Sequence, residues 1–248
     1  MFLIKKDDKI MFGWRARLGL IIPSNNTVIE PELIQALPDG VTIHGHRVGI
    51  PLDKREVEYM DVMRADAIEN IFKLGPVDCV AYCCLTTSFY KGLGWDKELL
   101  REMEKKFRKP VTTAATAMVN ALNASNIESV AIATPFRAEV NDKLVEFLKG
   151  NGFEVVGMKA LDPAPNSKEV VQLPTTVAYR LAKRAVETNS DGVFICATDL
   201  PAMGVIDVLE KDLGKPVIST NQAILWEMLR LIELKGLIKG FGSLLEGI

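Results

Sequence analysis

The sequence is poor in the residues that build metal sites and nucleic-acid interfaces. Its 248 residues include two histidines and four cysteines, without a CxxC pair. His44 and His46 would share one face of a strand, but no carboxylate or thiol cluster accompanies them, so a strand-and-turn role is favoured over a metal pair. The net charge of −2 provides no basic footprint for nucleic acid. We therefore expect neither a bound metal nor a nucleic-acid partner.

Long apolar runs and disulfide patterns are also missing. No run is long enough to span a bilayer, so no membrane partner is expected. Residues 1–15 mix charges of both signs without the apolar core of a secretory signal, and we treat them as an N-terminal extension. Cys79, Cys83 and Cys84 crowd one strand-like run, where adjacent thiols point to opposite faces and rarely bridge. These features predict a protein of the reducing cytoplasm.

What the sequence does contain is a regular alternation of strand-like and helix-like segments. Hydrophobic residues make up 48% and charged residues 25%, which is typical of a globular protein with a substantial core. The strand-like runs are "RLGLIIPSN", "DCVAYCCLTTS", "SVAIATPF", "DGVFICATD" and "KPVIST", and amphipathic stretches lie between them. This alternation predicts an α/β fold with parallel sheets covered by helices on both faces.

The strand-like runs come in matched sets, which indicates a duplicated unit. Pro23 and Pro135 end similar runs 112 residues apart. "DCVAYCCLT" with "DGVFICATD" and "KPVTTAATA" with "KPVISTNQA" repeat at offsets of 113 and 106. Coincidence is the alternative, but the matches keep their order along the chain. We predict a first lobe of residues 16–115 with 225–248, a second lobe of 116–224, and a site in the cleft where both sets of strand ends meet.

The run "DCVAYCCLTTSF" raises the question of whether one of its cysteines is a nucleophile. On a strand, Cys79 and Cys83 share one face and read as small buried hydrophobes. Cys84 lies on the other face, at the last position before the chain turns out at Thr86 and Thr87. A thiol at such a tip, near the unpaired N–H groups of a following helix, is expected to have a lowered pKa. The local sequence leaves both the nucleophile and the core reading open for Cys84.

An ordered set of motifs resembles the aspartate/glutamate racemase superfamily, in particular its maleate isomerase and arylmalonate decarboxylase branch. The markers are "GLIIPSNNTVIEPE", "DCVAYCCLTTSF", "ATPFRAEVN", "APNSKEVVQL", "DGVFICATDL" and "VIDVLEKDLGKPVISTNQAILW". The resemblance implies two pseudo-symmetric Rossmann-like lobes, each with a short parallel sheet covered by helices. It also implies an active site in the cleft, catalysis without a cofactor, a small carboxylic acid as substrate, and a homo-oligomer.

The same resemblance assigns the thiols. Cys84 matches the first cysteine of such enzymes, whereas Ala197 stands at the position of the second and Cys196 lies one residue early. Racemases of the superfamily need both thiols and arylmalonate decarboxylases need the second, so keeping only the first favours a maleate-type isomerase. The alternatives are a decarboxylase or racemase in which Cys196 takes over the second role, or a binder of small acids without activity.

Several polar residues at the strand tips are candidates for gripping a carboxylate. The resemblance gives this role to Asn26 and Asn166, although a loop asparagine that caps a helix is the alternative at both positions. Phe136 replaces a carboxylate-binding tyrosine, which leaves room for a bulkier or less charged substrate unless Arg137 compensates. The remaining candidates at the tips are Ser24, Thr86, Thr87, Ala197 and Thr198.

Overall fold

The computed structural model describes residues 12–50 and 56–247. Residues 1–11 of the predicted N-terminal extension lie outside this part. The strands are β1 Ala16–Pro23, β2 Val41–Val48, β3 Cys79–Tyr82, β4 Val111–Thr113, β5 Ser129–Thr134, β6 Glu154–Ala160, β7 Gly192–Ile195 and β8 Val217–Ser219. The helices are α1 Ile29–Ala36, α2 Met60–Glu69, α3 Leu85–Phe89, α4 Trp95–Phe107, α5 Ala114–Ala124, α6 Ala138–Gly150, α7 Ser167–Val170, α8 Thr175–Ala185, α9 Ile206–Leu213, α10 Thr220–Leu231 and α11 Ser243–Glu246.

The strands form two parallel four-stranded sheets with the same connectivity. The first has the order β2-β1-β3-β4 and the second β6-β5-β7-β8. In each sheet the two inner strands are almost entirely buried, which is why they appear in the sequence as continuous apolar runs. The predicted α/β class and the pair of matched sheets are confirmed.

The edge strands β2 and β6 are absent from the predicted runs for a physical reason. Both are half exposed along most of their length, so polar and charged residues interrupt their apolar pattern. His44 and His46 lie in β2, where the ring of His44 contacts the Thr42 hydroxyl and that of His46 contacts the Asp66 carboxylate. Such side chains suit an edge strand with one wet face.

Helices α5 and α10 follow matched strands of the two sheets, and both begin with the same kind of capping hydroxyl. The side chain of Thr113 caps α5 by accepting from the Thr116 N–H, and that of Ser219, 106 residues later, caps α10 by accepting from the Gln222 N–H. These hydroxyls satisfy backbone donors that a helix N-terminus leaves unpaired. Each helix therefore starts directly where a strand of its sheet ends.

Helix α10 links the two halves. It follows β8 of the second sheet, yet it packs against α5, β3 and β4 of the first. Every residue from Thr220 to Leu229 is buried, including Glu227, whose carboxylate accepts from Arg230 and Asn120. The predicted lobe boundary at residue 225 falls inside this helix. Among the described residues, no helix is long and apolar enough to cross a membrane.

Candidate active site

A cleft of about 240 Å³ opens at the carboxyl ends of both sheets. Each inner strand contributes its last residue or residues one to three positions beyond it, as expected for ligand sites of parallel sheets. The lining residues are Pro23, Asn26, Val57, Cys84, Leu85, Thr86, Pro135, Phe136, Arg137, Glu139, Val140, Pro165, Asn166, Ser167, Lys168, Val170, Ala197, Thr198 and Asp199. Matched positions of the two halves, such as Cys84 and Ala197, thus line the same cleft.

Cys84 is delivered to the cleft by the end of β3. The strand register is kept through Cys83, whose N–H donates to the Ile21 carbonyl. Cys84 is then still extended, with φ −127° and ψ 106°, and it directly precedes α3. Its side chain lines the cleft although the residue is only 3% exposed. The Cys84 side chain is therefore surrounded by protein except where it borders the cleft.

The other cysteines of the first sheet lie in the core. Cys79 and Cys83 are fully buried among the apolar residues of the inner strands. Burial raises the pKa of Cys79 to about 12 and that of Cys83 well above its ordinary value, because a thiolate is poorly solvated there. Both thiols are therefore protonated at neutral pH. All four cysteines lie in the described part of the chain, and none forms a disulfide.

Cys196 does not line the cleft. It is fully buried in the core beneath the tip of β7, and burial raises the pKa of its thiol well above the ordinary value. The N–H of Cys196 donates to the Ala133 carbonyl, so the strand register holds through this residue and keeps its side chain inside. The structure therefore separates the two predicted catalytic cysteines and brings only Cys84 to the cleft.

Ala197 leaves the strand abruptly. Its φ of +83° lies in the left-handed region that residues with a Cβ rarely occupy. This turn brings Ala197 and Thr198 into the cleft wall. Within the described residues, the backbone N–H groups of Ala197 and Thr198 have no hydrogen-bond acceptor. A strained tip with open donors is a common arrangement at ligand sites.

Replacing Ala197 by glycine is expected to stabilise the protein. Glycine removes a left-handed strain of about 1 kcal/mol, partly offset by its greater freedom in the unfolded chain, so we expect a gain of about 0.5 kcal/mol in urea unfolding. Ala202→Gly is the matched control, because Ala202 has φ −142° and is equally buried. The control should lose stability, and an Ala197→Gly variant that loses as much would contradict the strain.

Asn26 joins the two halves at the floor of the cleft. Its Oδ1 accepts from the N–H groups of Val28 (2.9 Å) and Ile29 (3.1 Å), so the residue caps the start of α1. Its Nδ2 donates to the Thr198 hydroxyl (3.0 Å), which in turn donates to the Cys83 carbonyl (3.2 Å). The amide has a second N–H for a ligand. The capping and binding roles weighed for Asn26 are therefore compatible.

Asn166 and Phe136 both line the cleft. Asn166 caps α7 in a capping box, since its Oδ1 accepts from Lys168 and Glu169 while its N–H donates to the Glu169 carboxylate. Within the part of the chain that the structure describes, its amide nitrogen donates to no protein acceptor, and the residue lies on the exposed rim. Phe136 is half-buried and offers only its ring, because its backbone N–H donates to the Thr134 hydroxyl. One candidate thus supplies a polar group at the rim and the other an apolar surface.

Thr86 lines the cleft, but Ser24 and Thr87 do not. The Ser24 hydroxyl accepts from the N–H of Ile50 at 3.0 Å, which holds the chain as it leaves β2. The Thr87 hydroxyl bonds to the Tyr82 hydroxyl at 2.8 Å, and Thr87 is 2% exposed. These two candidates support the wall from behind.

Several residues in or beside the cleft were not predicted from the sequence: Ser167, Val140 and Val170 line it, and Asn25 lies just outside the lining. Asn25 donates to the Ser167 hydroxyl at 2.7 Å and ties the two rims together, and Val140 and Val170 form an apolar wall with Phe136. Asn25 and Ser167 lie beside predicted residues in their motifs, which was the only signal available. Across residues 12–50 and 56–247, no group of three side chains is arranged to hold a metal ion.

Two matched parallel sheets with a thiol-bearing cleft between their strand ends define a two-lobed α/β protein with a shared site. The chain belongs to the arylmalonate decarboxylase family, whose model matches residues 18–245. A maleate isomerase of Pseudomonas putida is 26% identical over 244 residues, covering 93% of this chain and 97% of the relative. The arylmalonate decarboxylase of Bordetella bronchiseptica is 26% identical over 218 residues, covering 86% and 89%.

The solved structures agree with this assignment of fold. The Nocardia farcinica maleate cis-trans isomerase, in a mutant with a covalently bound succinylcysteine intermediate, has a TM-score of 0.85 and 24% identity, with 93% of this chain and 98% of that chain covered. The predicted resemblance to the maleate isomerase and arylmalonate decarboxylase branch is confirmed.

Proposed function

We propose that this protein is a cofactor-independent cis–trans isomerase of the maleate type, with Cys84 as the nucleophile. The observation that carries the proposal is that Cys84, alone among the four cysteines, lines the cleft. Relatives named maleate isomerase match nearly the whole chain and support the reaction class. A small unsaturated carboxylic acid is the substrate that this chemistry requires.

The reaction is a reversible addition of sulfur to the double bond. The Cys84 thiolate forms a C–S bond to one alkene carbon of a cis-enedioate. The π electron pair moves to the other alkene carbon and into its carboxylate, leaving a single bond between the two carbons. Rotation about this bond, return of the electron pair and loss of the thiolate give the trans acid. The covalent succinylcysteine named for the Nocardia farcinica structure contains the same C–S bond and carries in addition a proton on the neighbouring carbon.

Polar groups at the cleft floor are placed to hold the substrate carboxylates. The second amide N–H of Asn26, the hydroxyl of Thr86 and the open N–H groups of Ala197 and Thr198 all belong to the lining or to its backbone. Donors fixed in this way bind an anion without a buried cation and stabilise charge as it builds up on the carboxylate. Asn166 is proposed as an additional donor at the rim.

Ala197 places a methyl group in the cleft at the position where relatives of the branch are expected to carry a second thiol. Ala197 cannot donate or remove a proton, and Cys196 is shielded in the core with a raised pKa. We therefore propose that the anionic adduct rotates and collapses without a proton from a second thiol. This feature separates the reaction from racemisation, which needs an acid and a base on opposite sides of the carbon.

The apolar part of the cleft bears on the identity of the acid. Phe136, Val140 and Val170 line the cleft with hydrocarbon. Such a wall gains from contact with an alkyl group, at roughly 0.8 kcal/mol for each buried methylene. We propose that maleates carrying one small alkyl group are accepted at least as well as maleate itself.

The proposal is tested by proton NMR of maleate and 2-methylmaleate incubated with the protein in D₂O. We expect both cis acids to give their trans isomers, with the vinyl protons retained because no proton is exchanged. Loss of vinyl signal into C–D bonds would contradict the proposed anionic adduct. No turnover of any cis-enoic acid, with no sulfur adduct by mass spectrometry, would contradict the isomerase.

Decarboxylation of a substituted malonate is the second candidate, and it is favoured by the matched family model and by the apolar wall. It requires an acid that protonates the carbanion from the Ala197 side. Cys196 would have to leave a fully buried position to supply it. Release of CO₂ from phenylmalonate that disappears in a Cys196→Ala variant would favour this reaction over isomerisation.

The proposal also covers the cellular location and the oligomeric state of the protein. A cysteine nucleophile works as a reduced thiol, which suits a cytoplasmic location. Assembly into a homo-oligomer remains a prediction from the family resemblance, and sedimentation velocity would decide it.

A further inference from the structure

Glu32 is a buried carboxylate that spans the two halves behind the cleft. It lies on α1 and is 9% exposed. Its Oε1 accepts from the N–H groups of Ala202 (2.6 Å) and Met203 (2.9 Å), and its Oε2 accepts from the Asn221 amide (2.8 Å). The carboxylate thus holds the segment that follows the Ala197–Thr198 tip, together with the start of α10. Glu32 itself is not among the residues that line the cleft.

The hydrogen bonds of Glu32 continue to the cleft floor. The same Asn221 nitrogen that donates to Glu32 also donates to the Thr198 carbonyl at 3.0 Å. The Thr198 hydroxyl donates to the carbonyl of Cys83, the residue before the nucleophile, and accepts from Asn26. Glu32 is therefore two hydrogen bonds away from Thr198, and Thr198 bonds directly to Asn26 and to the residue that precedes Cys84.

The energetics of this cluster are unfavourable for stability alone. Burial raises the pKa of Glu32, although the hydrogen bonds from Asn221, Met203 and Ala202 act in the opposite direction. Within the described residues the buried Oδ1 of Asn221 has no partner. A buried carboxylate and an unpaired amide oxygen each cost free energy that an apolar pair would avoid. A role in placing Thr198 accounts for an arrangement that packing does not require.

We propose that Glu32 is a positioning residue, which fixes Thr198 relative to Cys84 through Asn221 so that a bound carboxylate lies beside the attacking sulfur. The inference rests on the proposed function in taking the cleft as the substrate site. Glu32 touches neither the substrate nor the sulfur in this scheme. Its effect is transmitted by the Asn221 amide, whose nitrogen requires acceptors on both sides.

Glu32→Gln tests the role with almost no change of shape. In one orientation, the oxygen of the new glutamine still accepts from the N–H groups of Ala202 and Met203. The NH₂ group of the glutamine then faces the NH₂ group of Asn221, and two donors meet without an acceptor. If Asn221 turns over instead, its oxygen faces the Thr198 carbonyl. Either way Thr198 loses its fixed position, and displacement of a fraction of an ångström is enough to slow an oriented reaction about tenfold.

The measurement is the alkylation rate of Cys84 by iodoacetate and by iodoacetamide, followed by peptide mass spectrometry. Iodoacetate carries a carboxylate on the attacked carbon, as maleate does, whereas iodoacetamide is neutral. We expect Glu32→Gln to lower the iodoacetate rate about tenfold and to leave the iodoacetamide rate within about twofold. In turnover with maleate, kcat should fall by a similar factor with little change in KM.

Two further variants keep the test decisive. Asn221→Ala leaves the bonds from Ala202 and Met203 to Glu32 in place and should reproduce the loss, and the double variant should lose little more than either single one. Glu227→Gln is the matched control, because Glu227 is a buried carboxylate on α10 with partners Arg230 and Asn120, outside the cleft lining. It should keep both alkylation rates.

An unchanged iodoacetate rate in folded Glu32→Gln or Asn221→Ala, or an equal loss in Glu227→Gln, would overturn the role of Glu32. The alkylation rates do not depend on isomerisation. A wild-type protein that fails to turn over maleates but shows the expected rate pattern would therefore reject the proposed function and keep the positioning role.

Discussion

A Cys84→Ser variant is expected to lose at least about a thousandfold in kcat for cis–trans isomerisation. Serine preserves the size of the side chain at the end of β3, so the fold and the cleft should be kept. Its hydroxyl is far less acidic than a thiol and adds poorly to a conjugated double bond. The measurements are kcat from the appearance of vinyl protons of the trans acid and the intact mass of the protein after acid quenching.

Cys83→Ala is the control for this prediction, because Cys83 is the neighbouring thiol and faces the core. It should lose about 1 kcal/mol of unfolding free energy through the missing sulfur and keep its activity. The wild-type protein and the control should both show an added substrate mass on the peptide that contains Cys84. Turnover by Cys84→Ser within tenfold of the wild-type rate would eliminate sulfur addition as the mechanism.

Asn26→Asp is expected to lower kcat/KM by about a hundredfold or more, because it separates the two roles of this side chain. The carboxylate can still accept from the N–H groups of Val28 and Ile29, so the cap of α1 survives. It can no longer donate to a substrate, and it places a negative charge in a cleft that must bind an anion. The readouts are kcat/KM with maleate and the melting temperature.

Asn25→Asp provides the matched comparison, since it introduces the same charge one residue away, at a residue outside the cleft lining. Its loss in kcat/KM should be at least tenfold smaller than that of Asn26→Asp. If Asn26→Asp instead lowers the melting temperature while kcat/KM is retained, the residue serves the helix cap and another group binds the carboxylate.

Most of the fold could be predicted from the sequence because the inner strands are buried on both faces. Continuous apolar runs of four to eight residues ending in small or polar residues are the direct imprint of that burial, and their repetition reveals the duplication. The edge strands β2 and β6 leave no such imprint, since water on one face admits charged residues.

Only part of the site could be predicted from the sequence. Strand alternation separates Cys83 from Cys84, and the one-residue offset of Cys196 from Ala197 predicts which of them faces the core. In contrast, Ser24 and Thr87 lie in the right motifs, yet their hydroxyls point to backbone and side-chain partners behind the wall. Glu32 ends the marker "GLIIPSNNTVIEPE", but the motif does not indicate its role, because its contacts at Ala202 and Asn221 are 170 and 189 residues away.

The shared helix and the cross-linked floor limit how this protein can exchange ligands. A hinge motion of one sheet away from the other would break the hydrogen bonds from Ala202 and Met203 to Glu32 and separate α10 from the first sheet. We therefore expect entry and exit at the outer rim, where hydrogen bonds from Asn25 to Ser167 and from Tyr90 to Glu139 cross between the halves in the described part of the chain. Small-angle scattering profiles with and without a bound acid should superimpose, since the two sheets keep their relative orientation and ligand exchange involves the rim alone.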